Sequence, residues 1–214
     1  MHLHTYIDHT LLKPTATQRE IKKLCKEAVQ HKFYAVCVNG SFVQLAQAEL
    51  KGSTVKIAAV VGFPLGAMTT RTKLFEANEC VRNGADEIDM VMNIGWLKSG
   101  KYEWVQKEIT EIKKSIGEKI LKVIIETCFL TKEEKILACE LAVNAKADFV
   151  KTSTGFGTGG ATLGDVKLMK DIVGNRALIK ASGGIKDRTT ALKYIALGVS
   201  RLGTSSGIKL LSTE

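Results

Sequence analysis

The feature that most constrains this chain is an eightfold alternation of short, β-branched apolar runs with longer stretches of helical periodicity. The runs are Tyr6–Leu11, Phe33–Val38, Val55–Val61, Glu87–Met92, Lys122–Glu126, Phe149–Thr152, Ala177–Lys180 and Ser200–Gly203. Helical stretches separate them, near Thr17–Gln30, Phe42–Leu50, Thr70–Arg82, Tyr102–Ile116, Lys132–Asn144, Leu163–Ile172 and Arg188–Ala196, and a short tail helix over about Ser206–Leu211 makes the eighth. Strands that alternate with helices in this way predict repeated βα units around a parallel sheet.

Local punctuation agrees with that periodicity. Thr131-Lys132-Glu133-Glu134 reads as a capping box, with Thr and Glu placed to satisfy each other's backbone donors at a helix start. Gly52, Gly84, Gly117, Gly174 and Gly198 each follow a helical stretch just before a strand, where a left-handed C-terminal cap is needed. Eight units in 214 residues predict an α/β chain folded as a compact (β/α)8 TIM barrel, one domain over residues 1–214 with little room for an insert. An open doubly wound sheet is the alternative. It is weakened because no Gly-x-Gly-x-x-Gly turn follows the first strand, and the first long glycine-rich loop, Gly155 to Gly160, comes only after the sixth.

The start of the chain has no basic, apolar and small-residue sequence of a secretory leader, and no run approaches the ~18 apolar residues of a membrane span, so a soluble cytoplasmic protein is expected. The five cysteines are odd in number, widely spaced and without a Cys-x-x-Cys pair, which argues against disulfides and structural zinc. Cys37, inside Ala35-Val36-Cys37-Val38, reads as a small buried hydrophobe. His2 and His4 could begin a metal site, but they lie in a terminal segment expected to be mobile and no third ligand follows, so neither metal nor cofactor is expected. The net charge of +9 suits an anionic partner. Because the lysines are dispersed and no nucleic-acid-binding motif stands out, a small phosphorylated substrate is expected rather than a nucleic acid or a membrane.

Strands of a parallel barrel should be nearly continuous apolar runs, so a charge inside one needs a reason. Here the fourth run carries Glu87 and Asp89, the fifth Lys122, the sixth ends at Lys151-Thr152 and the seventh at Lys180. Two lysines at the carboxyl ends of neighbouring strands would face each other at the mouth, where barrel enzymes place their active sites, on strands ~4.8 Å apart. Like charge and desolvation both favour a neutral amine, the form that attacks a carbonyl, so the pair suggests imine chemistry with Asp89 as a proton shuttle. The competing reading, an interior ion-pair network that only supports the barrel, stays open for Lys122 and Asp8. After the seventh and eighth strands come Ser182-Gly183-Gly184 and Gly203-Thr204-Ser205-Ser206-Gly207, small-residue turns at the position where barrel enzymes bind phosphate with backbone N–H groups and hydroxyls.

These residues fall within longer segments that together resemble the deoxyribose-phosphate aldolase family along essentially the whole chain. The segments are Ile7-Asp8-His9-Thr10-Leu11-Leu12, Gly84-Ala85-Asp86-Glu87-Ile88-Asp89, Leu121 to Thr127, Phe149 to Phe156, Ile179-Lys180-Ala181-Ser182-Gly183-Gly184-Ile185 and Arg201 to Ser206. The resemblance implies that Lys151 forms the imine, that Lys180 tunes it and that Asp89 relays protons. It also implies a supporting network of Lys122, Asp8 and Thr10, and a phosphate site of Gly155, Gly183, Gly184, Ser205 and Ser206. The implied reaction is reversible cleavage of 2-deoxy-D-ribose 5-phosphate to D-glyceraldehyde 3-phosphate and acetaldehyde, without cofactor. Homo-oligomerisation is in keeping with the precedent of barrel families.

Two positions depart from longer members of the family. Some carry a phosphate-holding lysine where Phe156 stands, and some end in a tyrosine-bearing tail used in proton transfer where this chain has Leu211-Ser212-Thr213-Glu214. These departures bear on phosphate affinity and on the group that moves the methyl proton of acetaldehyde. The rival functions are a sugar-phosphate isomerase that uses no covalent lysine and a catalytically silent phosphate-binding barrel.

Overall fold

In the computed structural model, which describes residues 2–212, eight parallel strands close on themselves in sequence order. They are β1 (Ile7–Leu11), β2 (Ala35–Asn39), β3 (Lys56–Val61), β4 (Glu87–Val91), β5 (Ile120–Ile124), β6 (Phe149–Lys151), β7 (Leu178–Ser182) and β8 (Arg201–Thr204). Helices α1 (Gln18–Gln30), α2 (Val43–Glu49), α3 (Thr70–Arg82), α4 (Ile94–Lys98), α5 (Tyr102–Ser115), α6 (Lys132–Asn144), α7 (Leu163–Val173), α8 (Arg188–Ala196) and α9 (Gly207–Leu211) connect and enclose them. This is the expected (β/α)8 barrel.

The helix starts follow from side-chain chemistry. Thr131 and Glu134 form the expected capping box, and Thr17 with Glu20 forms a second. Thr69, Asn93, Thr162 and Asp187 cap α3, α4, α7 and α8 by accepting from a backbone N–H in the first turn. The five glycines expected to end helices all have positive φ, from 56° to 108°. The short α4 was not anticipated; five residues are too few for a helical period to register. Nor is the amino-terminal segment loose: Leu3–Tyr6 forms a 3-10 turn and buries Leu3, correcting the expectation of a mobile end around His4.

Strand side chains alternate between two different environments. One face of each strand, including Ile7, Val36, Ile57, Ile88, Leu121, Val150, Ile179 and Leu202, joins the large apolar layer beneath the helices. The other face fills the barrel. There Leu12, Cys37, Ala58 and Val60 form a small apolar cluster with Phe63 against them, and charged residues share the rest of the interior with Ala35, Val91, Ile124 and Phe149. Cys37 is the small buried hydrophobe expected, its thiol pushed up by burial.

Outside the barrel one buried ion pair braces β4. Lys73 of α3 contacts Glu108 of α5 at 2.6 Å and donates to the Val91 carbonyl at 2.8 Å, two residues beyond Asp89. Among the described residues no helix is long and apolar enough to cross a membrane.

Candidate active site

The charged residues that interrupt the strands meet inside the barrel. Asp89 is the hub: its Oδ1 accepts from Lys122 Nζ at 2.7 Å, and its Oδ2 accepts from both Lys151 and Lys180 at 2.8 Å. Lys180 also pairs with Asp8, whose other oxygen lies 2.7 Å from Arg201. Arg201 and Lys122 converge on Glu87 at 2.7 and 2.6 Å. The Arg201 guanidinium lies over the Tyr34 ring, 3.3 Å from its centroid. Every ionic member is at most 4% exposed.

Register explains how these groups are brought together. Asp89 and Lys122 are directly paired across β4 and β5, and Lys151 and Lys180 across β6 and β7. Lys151 ends β6 as expected, whereas Lys180 is the third residue of β7 rather than its last, which corrects its placement at a strand end. The strand continues to Ser182 because barrel strands are staggered, so a residue in mid-strand can lie level with the end of its neighbour.

Electrostatics divides the lysines. Burial alone would drive the Lys180 ammonium toward neutrality, but Asp8 and Asp89 override it and raise its pKa, so Lys180 is held charged. Burial likewise opposes the Asp89 charge, and Lys122, Lys151 and Lys180 together hold its carboxyl well below the usual range. Asp8 is lowered to about 2, burial again outweighed by Lys180 and Arg201. Lys122 is raised, with burial opposed chiefly by Asp89. Two lysines therefore have two carboxylates each, Lys122 with Glu87 and Asp89, Lys180 with Asp8 and Asp89, while Lys151 has Asp89 alone. In all, four cations face three carboxylates.

Lys151 is also the member of this network that reaches open space. It lines a cavity of about 240 Å³ at the carboxyl ends of β6, β7, β8 and β1. Thr10 lines the same cavity and donates its hydroxyl to the Asp8 carbonyl at 2.8 Å. All five residues expected at a phosphate, Gly155, Gly183, Gly184, Ser205 and Ser206, line it too. The loops after β6 and β7 touch backbone to backbone here: a Cβ on Gly160 would fall 2.3 Å from the Gly183 carbonyl oxygen, so only glycine fits. The start of α8 is already capped by Asp187, and α9 is a five-residue turn, so the donors this region offers are loop amides and hydroxyls.

Sequence reasoning missed several contributors. Arg201 could have been found by the rule that found Lys122, a charge inside an apolar strand, and Glu87 was noticed without being given a partner. Lys13 and Lys186 line the cavity but sit in loops, where a lysine is unremarkable. Phe156 lines it as well, and its ring meets Phe63 edge-on at 5.3 Å. Thr213 and Glu214, in the tail that departs from longer family members, lie outside the described residues.

Comparison with known proteins agrees with this geometry. Residues 3–209 match the family described as DeoC/LacD family aldolase. The chain is 55% identical over 211 residues to a deoxyribose-phosphate aldolase of Finegoldia magna, covering 99% of each, and 56% identical to one of Thermococcus gammatolerans, covering 99% of this chain and 96% of the relative. Among solved structures it is similar to an aldolase termed QR15, with TM-score 0.94 and 44% identity over 97% of this chain and 93% of the other. It is also similar to the deoxyribose phosphate aldolase of Aeropyrum pernix, described as a unique tetramer, with TM-score 0.90 and 32% identity over 98% and 89%.

Proposed function

Since this chain belongs to the DeoC/LacD family of aldolases, we propose that it cleaves 2-deoxy-D-ribose 5-phosphate reversibly to D-glyceraldehyde 3-phosphate and acetaldehyde through an imine on Lys151. The observation that carries this reading is the position of Lys151. It is the one network cation that lines the cavity and the one with a single carboxylate partner. An amine held by one carboxylate and bordering open space is the one placed to meet a carbonyl, and attack by that amine is what forms an imine.

In the cleavage direction the Lys151 amine adds to the C1 carbonyl and the carbinolamine loses water to give an iminium. Loss of the C3 hydroxyl proton then breaks the C2–C3 bond, releasing D-glyceraldehyde 3-phosphate and leaving an enamine. Protonation at C2 and hydrolysis release acetaldehyde and the free amine. Asp89 touches both Lys151 and Lys180 and so serves as the relay through which protons leave and reach the reacting nitrogen. The three lysines around it hold its carboxyl well below the usual range, so it rests as a carboxylate able to accept a proton. Lys180, held charged by Asp8 and Asp89, supplies the fixed positive charge that disfavours a second ammonium beside it. Lys122, Asp8 and Thr10 hold this arrangement from behind.

The phosphate is assigned to Gly155, Gly183, Gly184, Ser205 and Ser206, with Lys13 and Lys186 at the rim to supply charge. The catalytic unit is the one barrel, and because its substrates are charged metabolites its proposed place is the cytoplasm, in the breakdown of deoxyribose phosphates. The tetrameric relative supports a homo-oligomer, which light scattering would test.

The deciding experiment is borohydride reduction in the presence of acetaldehyde and a chelator, followed by peptide mapping. An ethyl adduct on Lys151 is expected. An isomerase or a silent binding barrel would carry none, and an adduct formed only without chelator would overturn metal independence.

A further inference from the structure

β5 stops at Ile124, and two residues later Glu126 takes a left-handed backbone conformation, φ 52° and ψ 68°. That region is uncommon for a residue with a long side chain and persists only where the surroundings fix it. Here the carboxylate fixes it. Glu126 is 2% exposed, and its oxygens accept from the Thr154 backbone N–H at 3.1 and 3.3 Å and from the Thr154 hydroxyl. The Cys128 thiol adds a weak contact at 3.9 Å. An amide could accept one of these bonds without burying a charge. A carboxylate accepts at both oxygens and donates nothing, which forces the Thr154 hydroxyl proton toward it.

The consequence reaches the cavity. With its proton committed to Glu126, the Thr154 oxygen accepts the N–H of Phe156 at 3.0 Å, and Gly155 between them is held at φ 85°. Thr154, Gly155 and Phe156 form the cavity wall beside Gly183 and Gly184. The loop packs closely on its support, since a Cβ at Gly157 would stand 2.8 Å from Cys128 Sγ and 3.3 Å from Glu126 Cδ. Its far end is pinned by Ala161, which donates to the Ser182 and Gly183 carbonyls and accepts from the Tyr194 hydroxyl at 2.7 Å.

We infer that Glu126 is a positioning residue for the reaction: by orienting the Thr154 hydroxyl it sets the Thr154–Gly155–Phe156 backbone at the phosphate end of the cavity. This rests on the aldolase reading above, and on the assignment of that end to phosphate.

The test measures kcat and KM for 2-deoxy-D-ribose 5-phosphate and for unphosphorylated 2-deoxy-D-ribose in the full chain and in Glu126→Ala, Glu126→Gln, Thr154→Val and the Ala/Val double variant. The readout is the ratio of kcat/KM between the two substrates. It is expected to fall at least about tenfold, through KM, in Glu126→Ala and in Thr154→Val, and to fall no further in the double variant, because the two residues act as one hydrogen-bonded unit. Glu126→Gln keeps one acceptor and should recover part of the ratio. If Glu126→Ala does not fold, the Gln and Val variants carry the comparison. An unchanged ratio, equal losses on both substrates, or effects that multiply in the double variant would overturn the inference. Borohydride trapping on the wild-type chain is run first: no adduct overturns the aldolase reading and this inference with it, whereas trapping followed by an unchanged ratio overturns this inference alone.

Discussion

Lys151 and Lys180 sit opposite each other across the β6–β7 ladder and donate to the same oxygen, Asp89 Oδ2, each at 2.8 Å. Lys180 has a second anion, Asp8, and keeps its proton; Lys151 has none and faces the cavity.

Replacing Lys151 with Ala should abolish the acetaldehyde adduct and lower kcat by on the order of 10³-fold or more, since removing a covalent nucleophile leaves only binding and electrostatic contributions. The check is turnover together with adduct mapping. An adduct of equal yield on another lysine, with turnover intact, would move the nucleophile.

Lys180→Leu removes the positive charge beside the reacting amine and also leaves Asp8 and Asp89 short of a partner. The acidic limb of the pH profile of kcat/KM should move to higher pH, because without the neighbouring cation a higher pH is needed to free the nucleophile. The variant should also be less stable by about 3–5 kcal/mol, the usual penalty for stranding buried charge. A profile with its limb unmoved argues that Lys180 only fills space.

Asp8 gives the barrel a defined acid sensitivity. Its carboxyl is lowered in the folded chain from 3.8 to about 2, so the unfolded chain binds the proton more readily. The resulting stabilisation, on the order of 2 kcal/mol, is fully present above about pH 4 and is lost as pH falls toward 2. Asp89, lowered further, extends the loss in the same direction. Urea unfolding at pH 5, 4 and 3 should show stability falling with pH, and less steeply in Asp8→Asn. Equal slopes would reject the assignment.

Thr17 and Thr131 each close a capping box on an exposed helix start. Thr17→Ala and Thr131→Ala should each cost about 1 kcal/mol, or roughly 2–4 °C in Tm, and the two costs should add because the helices are separate. Calorimetry on the single and double variants decides it.

Ser206→Asp sets a negative charge in the wall assigned to phosphate. KM for 2-deoxy-D-ribose 5-phosphate should rise at least about tenfold, with a much smaller change for the unphosphorylated sugar. Equal losses on both would return the Ser205-Ser206 turn to a purely structural role.

The barrel was legible in the chain because its evidence is local. Strand runs, helical periods, threonine caps and terminal glycines each act over a few residues, and eight repetitions leave little choice of architecture. Three helices, over 70–82, 132–144 and 188–196, have the expected ends because a cap, a glycine or both mark them. Charges inside apolar strands exposed Asp89, Lys122, Lys151 and Lys180 for the same reason, since an interior charge stands out against any apolar run.

What no local pattern carries is which charge meets which. Lys151 and Lys180 look alike in the chain, and their difference arises from Asp8, 172 positions away from Lys180, and from which side chain borders the cavity. Arg201 reaches Asp8 across 193 positions, and Glu126 reaches Thr154 across 28. Barrel closure and strand stagger create these neighbours. The energy of a buried charge depends on them, so the alternating pattern determined the fold and the residue types at its mouth, while the division of protons among those residues was decided only when the barrel closed.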